Sequence, residues 1–531
     1  MTKLVSGGAQ GPPEPTRSDR GDLEIGPDRR LSISDVVAVA RYRLPVRLSA
    51  AAPSALDASR AVVDRVVAAG ATVYGITTGF GDLANVRIPP DEVDILQRNL
   101  VRSHAAGVGE RLPDEVVRAM LLLRAAALAR GMSGIRPVVV EQLLDFLRED
   151  LLPVIPSRGS VGASGDLAPL AHLALGLIGE GEIRRHGETM PAGAALRGAG
   201  VKPLALSAKE GLALLNGTQL MAAVGSLVTF DAQRLARTAD VVAAMSIEAM
   251  QGSDEPFAAA IHDARPHGGQ REVATAMRHW LADSPNRAAH QASEHRVQDA
   301  YSMRCIPQVH GAVRDALEVL RSVLEVEINS VTDNPLVVPP GGDYPDGAVL
   351  SGGNFHGEPL ALPLDFATMA VTELASISER RVARLVDGSL SGGLPAFLTS
   401  ASGRNSGYMV AQYTAAALVN ELQTLAHPSS VHSLPTSANQ EDHVSMGATS
   451  ALHFRLALQH AELVVAIEAL CAAQGIDFLV QDVGSALTAA HAAIRSAVPH
   501  VDEDRPPAPD IELAVELVRS GGLLSAAEMW A

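Results

Sequence analysis

Aromatic side chains are scarce in this sequence. They make up 3% of 531 residues, so a core built on ring stacking is excluded and aliphatic side chains, within a hydrophobic share of 47%, must fill it. Cysteine is rarer still: Cys305 and Cys471 are the whole complement. Two thiols make neither a disulfide framework nor a cysteine-rich zinc site, and they read as a reducing, cytoplasmic setting. Positive charge is thin, with 43 Lys and Arg against 60 Asp and Glu, a formal net charge of −17. With no basic run, nucleic acid is not an expected partner. An uninterrupted apolar run of about 20 residues is missing, so no membrane span is expected. The HExxH pair of a zinc hydrolase is missing too, and no metal is expected.

What the chain does have is Ala and Leu at three- and four-residue spacing, the pattern of buried amphipathic helices, and it predicts a mainly α protein. Residues 1–30 are rich in Gly, Pro, Asp and Arg, lack the apolar stretch of a secretory leader, and are expected to be disordered. Helices are predicted over 34–41, 55–69, 91–104 and 113–130, with breaks at the glycines of 73–81 and over 152–166. Beyond Lys209 come longer runs: 217–250, 307–329, 358–385, 407–425 and 444–474. These imply a long central bundle over 206–531 and a smaller N-terminal part over 31–205. Apolar residues cover more than one stripe of each long helix, as expected if neighbouring subunits also enclose them.

The most informative stretch is Gly159-Ser160-Val161-Gly162-Ala163-Ser164-Gly165-Asp166-Leu167-Ala168-Pro169-Leu170-Ala171-His172. Glycines at 159, 162 and 165 permit backbone conformations closed to other residues, and Asp166 is placed to cap the helix that follows. A Gly-rich turn before a capped helix is one reading. A phosphate cradle at a helix N-terminus is another, although no Walker lysine accompanies it.

The string from Gly159 to Leu170 resembles the signature of the aromatic amino acid ammonia-lyases and aminomutases that use 4-methylidene-imidazol-5-one (MIO), and similar segments run from about Ser34 to Gly522. The resemblance implies an ammonia-lyase-like (L-aspartase-like) bundle and no external cofactor. It implies that the amide nitrogen of Gly165 attacks the carbonyl carbon of Ala163, and that loss of two waters leaves a methylene derived from Ser164. Gly offers an unhindered nitrogen, Ala does not crowd the ring, and Ser carries the hydroxyl that is lost. It also assigns roles elsewhere. Tyr74 would move the β-proton, and Asn216 would hold the MIO carbonyl. Tyr301 would bond to the MIO or its adduct, and Arg304 would clamp the substrate carboxylate. Gln298, Asn334, Phe355 and Gln440 match further site positions, Phe355 lining the substrate ring. The spacing of Gln298, Tyr301 and Arg304 puts them near one face if that segment is helical. Three subunits of a homotetramer would build each site.

Ser103-His104 aligns with the pair associated with substrate choice and resembles that of histidine ammonia-lyases. Glu441 points the same way, because a carboxylate accepts an imidazole N–H but is poorly satisfied beside a phenyl ring. Urocanate and ammonia are then the expected products. Thr77, Gln423 and His432 depart from the pattern, and a tyrosine ammonia-lyase or an aromatic 2,3-aminomutase stays open. A non-catalytic helical scaffold would leave Ser164 an ordinary serine.

Overall fold

The computed structural model describes residues 21–78, 88–89, 92–290 and 298–529. Residues 1–20 of the expected tail, and Gly79, Phe80 and Gly81 after the Tyr74 turn, lie outside the described residues.

Helices dominate, as the periodicity predicts, and their ends follow local chemistry. Ile33–Tyr42 starts with a reciprocal capping box between Ser32 and Asp35 and stops where Arg43 turns left-handed at φ 58°. Asp114–Ala129 opens after Pro113 with Asp114 and Glu115 in its first turn, where the helix dipole favours negative charge. Buried residues occupy nearly all of its circumference. The long runs become Gln219–Ala249, Ile306–Glu327, Glu358–Leu385, Met409–Leu425 and Gly447–Ile476.

The strands are two to four residues long and pair in small sheets. One pair lies partly within residues 21–30. Leu23–Ile25 runs parallel to Val46–Leu48, and the Leu31 N–H donates to Asn329 Oδ1 at 2.8 Å. Another pair, Val108–Arg111 against Pro156–Arg158, delivers the chain directly into the Gly159 loop.

The compact units are not consecutive stretches. One comprises residues 1–230, 321–364 and 429–452, and the other 231–320, 365–428 and 453–531. The division falls inside Gln219–Ala249, Ile306–Glu327, Glu358–Leu385 and Gly447–Ile476. A long helix can serve one packing neighbourhood at one end and another at the other.

Glu358–Leu385 and Gly447–Ile476 are long and apolar enough to cross a bilayer by composition, yet both are mostly buried in the protein. Each also carries a fully buried charge. Arg381 and Glu468 pair, and Ser246 and Ser378 donate to the same carboxylate. A paired, hydrogen-bonded charge is how a protein core accommodates ions.

Candidate active site

The first unit contains the glycine loop and everything that pins it. Gly165 has φ +71°, and a Cβ there would lie 2.2 Å from the Gly217 carbonyl oxygen, so glycine is required by conformation and by space. Gly162 has φ +67°, and its Cβ would meet Ser445 Oγ at 2.1 Å. These close approaches are used for bonding. Gly165 forms a parallel bridge with Gly217, and the Asp166 N–H donates to Gly217 O at 2.7 Å. Ser445 Oγ donates to Gly162 O at 3.0 Å, and the Met446 N–H donates to Val161 O at 2.9 Å.

At the apex, Asn216 Nδ2 donates to the Ser164 carbonyl oxygen at 3.0 Å, and Ser164 Oγ donates to Glu441 Oε1 at 2.8 Å. Asn216 is itself held from behind. Arg124 Nη1 donates to Asn216 O and to Gln219 Oε1, both at 2.8 Å. Burial pushes this guanidinium down to about 10, against the pull of Asp333. Deeper still, Lys209 Nζ and Asp333 Oδ2 pair at 2.7 Å with both side chains fully buried.

Asp166 departs from the expected cap. It sits at the N-cap of Leu167–Leu177 and its backbone carbonyl accepts the Leu170 N–H at 3.0 Å, but its side chain does not cap that helix; instead Oδ2 accepts the N–H groups of Leu220 (2.9 Å) and Met221 (3.0 Å), in the first turn of Gln219–Ala249. Its Oδ1 accepts from Ser160 Oγ at 2.9 Å. Burial outweighs these hydrogen bonds and raises the carboxyl to about 7.

Above the loop lies a cavity of about 970 Å³. Tyr74, His104, Ala163, Ser164, Asn216, Asn334, Phe355, Gln440 and Glu441 all line it, although they come from distant parts of the sequence. The His104 ring is held by Nδ1 against Leu100 O at 2.9 Å, and burial lowers its pKa while the Leu100 contact and the Glu441 charge oppose that shift. Asn334 Oδ1 accepts the Gly352 N–H at 2.7 Å.

Other candidates fall elsewhere. Ser103 is not among the lining residues: its hydroxyl turns back to Leu100 O at 3.1 Å and to His104 Nδ1 at 3.0 Å, because adjacent helical residues face different directions. Gln298, Tyr301 and Arg304 belong to the second unit. They also do not share a helical face, since the helix Tyr301–Arg304 begins after Gln298. Tyr301 is 71% exposed, with the Arg304 guanidinium carbon 4.8 Å from its ring centroid.

The structure adds lining residues that spacing alone did not single out. His356 and His443 stack with ring centroids 5.9 Å apart at an interplanar angle of 6°. His356 Nδ1 accepts the Glu358 N–H at 3.3 Å, and its Nε2 lies 3.2 Å from His443 O. The sequence signal was their place in the segments that carry Phe355 and Glu441.

A mainly helical protein that locks Ala-Ser-Gly in a glycine-hinged loop beneath a cavity lined by Tyr, His, Asn and Glu side chains has the architecture of an ammonia-lyase. Residues 31–496 match the aromatic amino acid lyase family model, and the chain belongs to that family. It is 53% identical to a histidine ammonia-lyase of Myxococcus xanthus, over 93% of this chain and 96% of the relative. Its fold is similar to the crystal structure of histidine ammonia-lyase from Trypanosoma cruzi, at TM-score 0.88 and 42% identity over 96% of each chain. It is also similar to tyrosine aminomutase from Streptomyces globisporus, at TM-score 0.90 and 38% identity over 96% of this chain and 99% of the other.

Proposed function

We propose that this enzyme eliminates ammonia from L-histidine to give urocanate. The observation that carries the reading is Glu441, whose carboxylate reaches the Ser164 hydroxyl at 2.8 Å in the cavity that His104 also lines. A carboxylate at that distance from the reacting position suits a substrate whose ring offers an N–H. The identity to histidine ammonia-lyases supports it.

The Ala163-Ser164-Gly165 loop fits formation of the MIO group. Gly165 has the unhindered nitrogen and the φ of a tight turn, and Asn216 already bonds the Ser164 oxygen that the ring would retain as its carbonyl. That group supplies an electron-poor methylene able to take up the substrate amine.

The remaining roles belong to ordinary side chains. Tyr74 takes the β-proton, a task for which a phenol of ordinary pKa about 10 needs neighbouring donors or positive charge. Glu441 accepts the imidazole N–H, Phe355 flanks the ring, and Asn334 and Gln440 line the amino acid moiety. Ser103 acts through His104. Arg304 holds the carboxylate in two-point fashion, with Gln298 and Tyr301 beside it. These last residues reach the cavity from neighbouring subunits of a homotetramer. Exposed Leu362, Phe366 and Met369 along one long helix support such an assembly. The unbridged Cys305 and Cys471 suit a cytoplasmic location.

The likeness to tyrosine aminomutase favours one other reading, a 2,3-aminomutase. Separate incubation with L-histidine, L-tyrosine and L-phenylalanine, following the unsaturated acid and the β-amino acid, decides between them. Urocanate from histidine is expected, and a β-amino product would replace the reading. The peptide containing Ser164 should be lighter than its sequence by two waters.

A further inference from the structure

We propose that Thr436 is a positioning residue that sets the orientation of Glu441 and thereby contributes to substrate choice, an inference that rests on Glu441 being the acceptor for the substrate ring. Thr436 Oγ1 donates to Glu441 Oε2 at 2.7 Å, while Oε1 takes the Ser164 hydroxyl at 2.8 Å. The two oxygens of one carboxylate therefore have separate duties: one is tied to the loop and the other is directed at the reacting serine.

The backbone is built to bring these two side chains together. Thr436 and Glu441 form an antiparallel bridge, with the Thr436 N–H donating to Glu441 O at 2.9 Å and the Glu441 N–H donating to Thr436 O at 3.3 Å. Between them, Ser437, Ala438 and Asn439 all adopt positive φ, at 49°, 53° and 66°. Three consecutive non-glycine residues in the left-handed region persist only where surrounding contacts impose them. The turn they make is exposed from Ser437 to Gln440, whereas Thr436 and Glu441 are half-buried. Threonine suits the post: its branched Cβ restricts χ1, so the hydroxyl arrives preset, while glutamate has several rotatable bonds and needs an anchor. An untethered carboxylate would turn toward solvent or toward His104, and the ring N–H of the substrate would lose a fixed acceptor.

The test compares Thr436→Val and Thr436→Ser in the full-length enzyme, with the mass of the Ser164 peptide recorded for each. The valine variant is expected to keep the two-water deficit and to raise KM for L-histidine about tenfold with a smaller change in kcat, the signature of lost ground-state binding through a hydrogen bond to a charged group. The serine variant should recover most of the loss. In a Glu441→Gln background the valine change should add little, because its effect passes through that carboxylate. Kinetics of Thr436→Val within twofold of wild type, or an equal further loss in the Glu441→Gln background, would overturn the proposal. So would loss of the two-water deficit in the valine variant, since Thr436 would then serve assembly of the loop. If wild-type enzyme carries the deficit but leaves L-histidine untouched, the substrate reading fails first, and this inference with it.

Discussion

The side-chain amide of Asn216 donates to the carbonyl oxygen of Ser164 at 3.0 Å, and Arg124, fully buried, holds the Asn216 backbone carbonyl in turn. Negative charge developing on the Ser164 oxygen during the reaction would meet a donor already in place, with a cation behind it. Such preorganised donors are among the larger contributors to catalysis.

Asn216→Ala is accordingly expected to lower kcat about 100-fold or more with a smaller change in KM, as for loss of an oxyanion-hole donor. Steady-state kinetics checks this, with the mass of the Ser164 peptide measured in parallel so that a maturation defect is distinguished from a catalytic one. An unchanged kcat would remove Asn216 from the machinery.

Asp166 makes a prediction about pH. Its carboxyl, raised by burial from 3.8 to about 7, holds a proton in the folded state that the unfolded chain has released between those values. The sign follows: its contribution to stability is fully present below about pH 4, declines as pH rises, and is gone above about pH 7, with a slope of at most about 1.4 kcal/mol per pH unit. Asp166→Asn keeps an oxygen for the Leu220 and Met221 amides and has no charge to bury. Thermal unfolding of wild type across this range should show a steeper loss of stability than the variant. Parallel curves would mean that Asp166 is ionised throughout.

The same residue shows where sequence reading reaches its limit. That Asp166 would sit between a glycine loop and a helix was legible from neighbouring residues. Which helix it caps was not, because Leu220 and Met221 lie more than fifty residues onward and only tertiary packing brings their amides to it. The long helices were legible because period and length agree over many turns, and Glu358–Leu385 begins and ends at the expected residues. Strands of two to four residues are too short to display alternation. Tyr74, Ser164, Asn216 and Glu441 were found through the resemblance of their segments to a family, and no local pattern would have placed them around one cavity. His356 and His443 lay within segments matched to the family but were given no role of their own, because their stacking depends on two loops meeting.

The buried Lys209–Asp333 pair should behave as a unit. Removing one partner strands the other without compensation in an interior where burial already lowers the lysine pKa, so Lys209→Met is expected to cost about 3–5 kcal/mol. Adding Asp333→Asn should return part of that loss. Chemical denaturation of the two single variants and the double variant measures the coupling, and additive costs would show that the pair contributes no mutual stabilisation.

Tyr74 lines the cavity within the first compact unit, whereas Arg304 belongs to the second and rests on the face of an exposed tyrosine, Tyr301. If one site draws these two residues from different subunits, two inactive proteins should rescue each other. Tyr74→Phe and Arg304→Met are each expected to lose most activity as homo-oligomers. Co-expressed in equal amounts and assembled at random, they should recover up to about a quarter of wild-type activity, since each site has an even chance of an intact residue from either source. Were both residues supplied by the same chain, every site would carry one defect or the other. Mixed assemblies would then be as inactive as their parents, and the proposal of sites shared between subunits would have to be abandoned.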